Sequence, residues 1–398
     1  MIKPQTLKGF RDFLPEQAKK RQYVIEVLKK VFESYGFEPL ETPVLEYEEI
    51  LAGKYGDEGD KLMYRFEDNG KRRVAMRYDQ TVPLARVVSQ YQNIIPLPFK
   101  RYQIQPVFRA ENTQKGRYRE FVQCDIDTLG LNSSATDAEI IAVSAKAFEK
   151  LGFNDFRILI NSRSTFGDLP IKAITIIDKL KKIGEKNVKE ELRKNDFDSG
   201  ILEKIQKTTL SDSLNLVIKI AQKMGVDKEK IIFEPTLARG LDYYTGTIIE
   251  IDYPTYQAGS LGGGGRYDNL IGLFADKKVP AVGFSFGFDR IIEVMDELKL
   301  FPSELQTTKV LVTIFSLELA DKSMTITNSL RTSNINAEIY LDANTKIDKQ
   351  LKYADQKNIP YVIILGPEEV KKNTVILKNM KTREQKQLTL DQLPNAIK

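Results

Sequence analysis

YQIQPVFRAENTQKGRYREFVQCDIDTLG, residues 102–130, decides how this chain is read. Two runs rich in β-branched and aromatic residues, YQIQPVFRAE and REFVQCDIDTLG, flank the polar link NTQKGRY, which predicts a β-hairpin with a basic tip. Side chains alternate across a strand, so Phe121, Gln123, Asp125 and Asp127 share one face, while Val122, Cys124 and Ile126 share the other. The apolar set goes to the core. The polar set is either the solvated side of an antiparallel sheet or a binding floor, and alternation alone favours the solvated side. On the paired run the same alternation aligns Arg109 with Glu111.

Upstream of the hairpin, residues 15–36 carry Val24, Val27, Leu28, Val31, Phe32 and Tyr35 at helical spacing, with Pro15 at the start and Gly36 at the end. A long amphipathic helix is predicted there, followed by a strand in FEPLETPVLE, residues 37–46. Downstream, TDAEIIAVSAKAFEKLG predicts a helix opening on a capping box from Thr136 to Glu139 and closing at Gly152, and FRILIN supplies the next strand. Lysine-rich helical patterns then run through residues 165–230 with no strand among them, the mark of a helical insertion. Strands resume at TIIEID and VGFSFG. Past the polar linker FPSELQTT, the runs VLVTIF, NAEIYLD and YVIILG alternate with helical stretches, which predicts a small α/β domain.

Composition narrows the chemistry. With 398 residues, 41% apolar and 29% charged, the chain has a core to bury and no run of about 18 apolar residues. The start, MIKPQTLKGF, lacks an apolar signal core, and the single Cys124 cannot form an internal disulfide, so a cytoplasmic, reducing location and no membrane are expected. There is no histidine, which excludes a Ser-His-Asp triad, a histidine metal centre and imidazole acid–base catalysis; no metal site is expected. Net charge is +5, and residues 309–398 hold 14 Lys and Arg against 10 Asp and Glu, a balance that permits a polyanionic partner.

Two further stretches carry candidates. GSLGGGGRYDNL, residues 259–270, lacks the Gly-Lys-Ser/Thr of a phosphate loop and reads as a loop, although glycines at this density let a ligand approach the backbone. LARGLDYYTG, residues 237–246, sets Arg239 beside Tyr243 and Tyr244; read alone, these are a turn arginine and a half-buried aromatic pair. Arg109, Arg239 and Arg290 each lie beside glycine or in a strand among aromatics. Three guanidinium groups suit a polyphosphate, because they stay charged and fork onto its oxygens.

Together these segments resemble the class II aminoacyl-tRNA synthetases, and among them the histidyl-tRNA synthetases, along the whole chain. LKGFRDFLP is similar to that family's N-terminal signature, ETPVLE to motif 1, FRAENTQKGRYREFVQCDID to motif 2, and AVGFSFGFDR to motif 3. RGLDYYTG and GGGGRYDNL resemble the two histidine-specific signatures, and KQLKYADQKNIPYVIILG the anticodon-binding domain.

The resemblance implies an α+β fold. A catalytic domain built on an antiparallel sheet would occupy residues 1–160 and 231–303, a helical insertion 161–230, and an α/β anticodon-binding domain 304–398. It implies ATP-dependent activation of histidine and transfer to tRNA-His by a homodimer, with Mg²⁺ riding on ATP. By the same resemblance Arg109 and Arg239 grip the α-phosphate and are the catalytic pair, Glu111 and Arg117 contact ATP, and adenine lies between Phe121 and Arg290. Histidine would meet Asp79 and Thr81 at its amine, Gln123 at its polar end, Asp127 and Tyr244 at its imidazole, with Tyr243, Tyr267 and Arg239 completing the pocket. Lys115 and Arg119 are candidate tRNA contacts. The competing expectation is a catalytically inactive relative, a regulatory subunit of ATP phosphoribosyltransferase that shares the catalytic fold.

Overall fold

The structure is a computed structural model that describes residues 2–52, 62–112, 118–239, 244–256, 259–274, 278–302, 305 and 307–397. It divides into two compact units, Met1–Phe301 and Pro302–Lys398. Among the described residues no helix is long and apolar enough to cross a membrane.

The first unit is organised by an eight-stranded sheet. In chain order its strands are β1 (Glu38–Pro39), β5 (Phe99–Phe108), β6 (Glu120–Leu129), β7 (Arg157–Ser162), β8 (Ile231–Phe233), β9 (Thr247–Asp252), β10 (Gly262–Arg266) and β11 (Ala281–Phe286); β2 (Leu45–Tyr47), β3 (Arg65–Glu67) and β4 (Arg73–Met76) form a separate small sheet. The spatial order is β1-β5-β6-β11-β10-β9-β7-β8, antiparallel except for β1 beside β5 and β7 beside β8. FEPLETPVLE therefore divides between two sheets, because the prolines at 39 and 43 interrupt its donors.

Helices Pro15–Ser34 and Ser134–Lys150 cover one face of this sheet. Cys124 and Ile126 of β6 and Phe284 and Phe286 of β11 point toward them, where Phe286 meets Phe32 at 5.3 Å and Phe148 at 5.9 Å between ring centres. Each such ring, fully buried, contributes roughly 1.5–3 kcal/mol. The second covering helix starts earlier than its sequence suggests. Its cap is Ser133, whose Oγ accepts from the Ala135 amide, while Thr136 sits buried in the first turn.

The opposite face corrects two expectations. Gln123, Asp125 and Asp127 do not meet solvent as the open side of a sheet; both aspartates are 4% exposed. The glycine run is no loop either: Gly262–Arg266 is a central strand, paired on both edges to β9 and β11. Glycine is a poor strand former, and here close neighbours demand it. A Cβ on Gly264 would lie 2.0 Å from the Gly283 carbonyl oxygen, and one on Gly262 would lie 2.6 Å from the Phe284 ring.

Helices between Ile171 and Lys223 fill the interval between β7 and β8. Ala173, Ile176, Ile177, Val188, Leu192 and Leu202 share a core with Leu237, Ala238 and Tyr244, so this helical layer braces the two ends of the LARGLDYYTG stretch. The second unit is a five-stranded sheet with β12 (Val310–Val312), β13 (Ala337–Ile339), β14 (Tyr361–Ile364), β15 (Val375–Asn379) and β16 (Gln385–Leu388), ordered β13-β12-β14-β15-β16. Its first three strands are parallel, as alternation of strand and helix requires.

Candidate active site

Above the polar face lies a cavity of about 410 Å³. It is built from the hairpin β5–β6, the glycine strand β10, strand β11 and the start of helix Phe288–Glu297. Thr81, Arg109, Glu111, Phe121, Gln123, Asp127, Arg239, Tyr244, Tyr267 and Arg290 all line it. Asp79 is buried at the foot of helix Thr81–Gln90, where its carboxyl accepts from the Val82 amide at 3.4 Å, and is not part of the lining. Arg117, Lys115 and Tyr243 lie outside the described residues. Arg119 serves the hairpin: its Nε donates to the Glu111 carbonyl at 3.2 Å and Nη1 to the Lys8 carbonyl at 3.4 Å, tying the N-terminal segment down.

Backbone register arranges the floor in rows. Asp127 stands opposite Gly283, and Gly283 opposite Gly265; one row along, Asp125 stands opposite Ser285, and Ser285 opposite Gly263. The two glycines of the central strand are the gaps that large side chains use. A Cβ on Gly263 would fall 1.3 Å from Arg239 Nη1, and one on Gly265 would fall 2.9 Å from Tyr244 Cδ1. Arg239 and Tyr244 thus lie on bare backbone, each in its own row.

Arg239 is held from behind. Its backbone amide donates to Asp178 Oδ1 at 2.7 Å, its Nη1 lies 3.6 Å from Glu250, and its φ is +50°, a left-handed conformation unfavourable for arginine. Arg109 enters from the other wall, with Nε on the Tyr78 carbonyl at 3.0 Å and its guanidinium 5.0 Å above the Phe121 ring. Arg290 Nη1 donates to the Ser260 carbonyl at 2.8 Å. Three cations therefore border the cavity, each oriented by backbone or ring contacts.

The other end is acidic. Asp127 accepts from the Tyr267 hydroxyl through Oδ1, and its Oδ2 lies 2.6 Å from Arg101 Nη2. Arg101 is 0% exposed and was not among the expected site residues. Its signal was present: the hairpin pairs Arg101 directly with Asp127. Burial pushes the Asp127 carboxyl up, and the guanidinium and the tyrosine pull it back. Asp125 is also buried in the lining; burial foremost, with Asp127 and Asp79 adding to it, raises its pKa to about 7 against the pull of Arg101 and Ser285. Behind Arg101 a buried polar chain continues, from Gln103 to Thr42 Oγ1 and Gln105, with Arg77 Nη1 on the Thr42 carbonyl at 2.6 Å and Gln105 Oε1 at 2.9 Å. Among the described residues, no group of three or more Asp, Glu, Cys or His side chains could hold a metal ion.

One cleft thus gathers three guanidinium groups, two buried carboxyls and two phenols. Comparison with known proteins shows the family. The family profile described as histidyl-tRNA synthetase matches residues 9–183 and 172–291. The chain belongs to the histidyl-tRNA synthetase family. A profile for the anticodon binding domain matches residues 309–398. Histidine–tRNA ligases of Christiangramia forsetii and Cytophaga hutchinsonii are each 40% identical over 100% of this chain and over 99% and 100% of their own lengths. The crystal structure of histidyl-tRNA synthetase from Nostoc sp. PCC 7120 superposes with a TM-score of 0.87 at 30% identity, covering 100% of this chain and 99% of that one. The class II α+β architecture expected from the motifs is therefore present, and relatives that are ligases over their full length do not favour the regulatory-subunit alternative.

Proposed function

We infer that the chain activates histidine with ATP and passes the histidyl group to tRNA-His. The observation that carries this reading is that Arg109, Arg239 and Arg290 line the same cavity as Asp127, Tyr244 and Tyr267. In the first step a carboxylate oxygen of histidine attacks the α-phosphorus of ATP, the bond to the bridging oxygen breaks, and pyrophosphate leaves. Negative charge grows on the α-phosphate and the leaving group, and two guanidiniums held in place beforehand stabilise it without reorganising. Attack by a carboxylate needs positioning more than a base, which fits a chain with no histidine.

Magnesium enters this scheme as part of the Mg–ATP substrate. Phe121 and Arg290 bound the adenine end and Glu111 the phosphate side; Arg117 belongs to the same group by its motif position. At the acidic end, Asp127 and Tyr244 read the imidazole. A site built to accept its N–H rejects isosteres without one, because their binding strands buried acceptors. Thr81, Gln123 and Asp79 serve the amine, with Tyr267 and Tyr243 as walls. Lys115, Arg119 and the basic second unit are assigned to tRNA phosphate.

A homodimer fits the small sheet, where Tyr47 and Phe66 flank Val74 in one row and remain exposed, with Leu45 beside them. A cytoplasmic location follows from the reaction and the single buried cysteine. Charging of a tRNA-His transcript with radiolabelled histidine tests the reading: acid-precipitable counts are expected with tRNA-His and not with tRNA of another identity. Equal failure with both would overturn it.

A further inference from the structure

Asp125 has no role in the motif resemblance, yet it stands in the cavity wall two residues from Asp127. It is 4% exposed, it lines the cavity, and Ser285 hydrogen-bonds to it. Its Oδ1 is buried with no hydrogen-bond partner, and so is Oε1 of its strand neighbour Gln123. Asp127 differs: Tyr267 and Arg101 engage both of its oxygens. Along this face of the strand Gln123 Oε1, Asp125 Oδ1 and Asp127 Oδ2 lack a hydrogen-bond donor, and of the three only Asp127 Oδ2 already has a cation against it, the Arg101 guanidinium at 2.6 Å. A buried carboxylate oxygen without a donor is destabilising, which a cationic donor arriving in the cavity offsets.

The rows of the sheet say which donor. Successive same-face positions on a strand are about 7 Å apart, so the Asp127 row and the Asp125 row stand at opposite ends of an amino-acid-sized space. Tyr244 occupies the first, over Gly265, and Arg239 the second, over Gly263. Arg239 meets the anionic, reacting end of the substrate. The ammonium is bonded to the same carbon as the reacting carboxylate, so it falls in the row of Arg239 and Asp125. Asp79, a candidate for the amine, is near enough to Asp125 to repel its charge.

We propose that Asp125 is a substrate-contacting specificity residue that accepts an N–H of the α-ammonium of bound histidine through Oδ1. With Gln123 it supplies two of the three acceptors an ammonium needs. Asp125 also makes the amine, and not only the ring, a condition for binding. The raised pKa is what an acid shows when it waits buried for a cation. This inference rests on the histidine-activation reading above.

The test compares two inhibitors of histidine-dependent pyrophosphate exchange that differ only in the amine: histidinol and 3-(imidazol-4-yl)propan-1-ol. The wild-type protein favours histidinol strongly, and Asp125→Asn shrinks the ratio of inhibition constants by about tenfold to a hundredfold, the worth of one charged hydrogen bond. Asp127→Asn weakens both compounds alike. If Asp125→Asn unfolds in a thermal melt, Asp125→Ser carries the same comparison. An unchanged ratio, or an equal loss for both compounds, overturns the proposal while wild-type exchange stands. A wild-type protein that exchanges no pyrophosphate with histidine overturns the reading beneath it instead.

Discussion

Alanine at Gly263 separates chemistry from folding. The added Cβ would sit 1.3 Å from Nη1 and 2.3 Å from Cζ of Arg239, and the three nearest atoms all belong to that guanidinium. The flexible end of a side chain must move, and the backbone has no reason to. Loss of the Arg239–Glu250 contact at 3.6 Å costs about 1 kcal/mol or less, a shift of roughly 2–4 °C in melting temperature. Activation loses one preorganised charged donor, about 2.7–4 kcal/mol, or a fall of about a hundredfold to a thousandfold in kcat. Alanine one residue further, at Gly264, meets the Gly283 carbonyl oxygen at 2.0 Å and Phe284 Cα at 2.7 Å, both backbone, so the strands must part. Overpacking of that kind reaches about 3 kcal/mol. Thermal melts and pyrophosphate exchange on both variants read the contrast: Gly263→Ala folded and slow, Gly264→Ala destabilised. A Gly263→Ala protein with wild-type kcat, or two variants equally unfolded, would refute the placement of Arg239 on bare glycine.

Arg101→Met strands the Asp127 carboxylate and lowers stability by about 3–5 kcal/mol at neutral pH. The penalty is that of a buried charge, so the gap to wild type narrows as pH falls and Asp127 takes a proton; a gap constant from pH 8 to pH 5 in thermal melts would contradict it. Asp125 is a carboxyl raised from 3.8 to about 7 among Arg101, Asp127, Asp79 and Ser285. Over that window the folded chain holds a proton the unfolded chain has released, so this group's contribution to stability is present below about 3.8 and is lost as pH rises to about 7. Asp125→Asn flattens this slope, and it removes the part of the fall in histidine KM between pH 6 and 8 that wild type shows beyond the titration of the substrate's own ring. A chain of residues 1–301 keeps pyrophosphate exchange, since the core of the first unit is its own, while tRNA-His charging falls at least about tenfold as basic contacts of the second unit are lost.

Much of the fold was legible because local and global signals agreed. The hairpin, the opening helix and the α/β tail each carry one period and clear end signals, and each stands where its pattern puts it. The failures share a cause. Strand β10 is built from the residue least suited to strands, since its structure is imposed by Phe284 below and by Arg239 and Tyr244 above, and none of these neighbours is local in sequence. The pattern around the buried aspartates points to solvent for the same reason: Gly283 opposite Asp127 and the glycines of β10 beyond leave room for side chains from distant segments to cover them, and Arg101 supplies the countercharge. Arg101 could have been found by pairing the hairpin residue for residue, which sets it against Asp127. The helix cap fell on Ser133 because Thr136 is drawn into the core beside Asp137, whose carboxylate holds the buried Arg266 at 2.8 Å.

The most direct test is ATP–pyrophosphate exchange by the purified protein with each of the twenty amino acids in turn. The account predicts exchange with histidine alone, abolished when the amino acid is replaced by an analogue with no ring N–H. Exchange driven by another amino acid, or by none from folded protein, would contradict it.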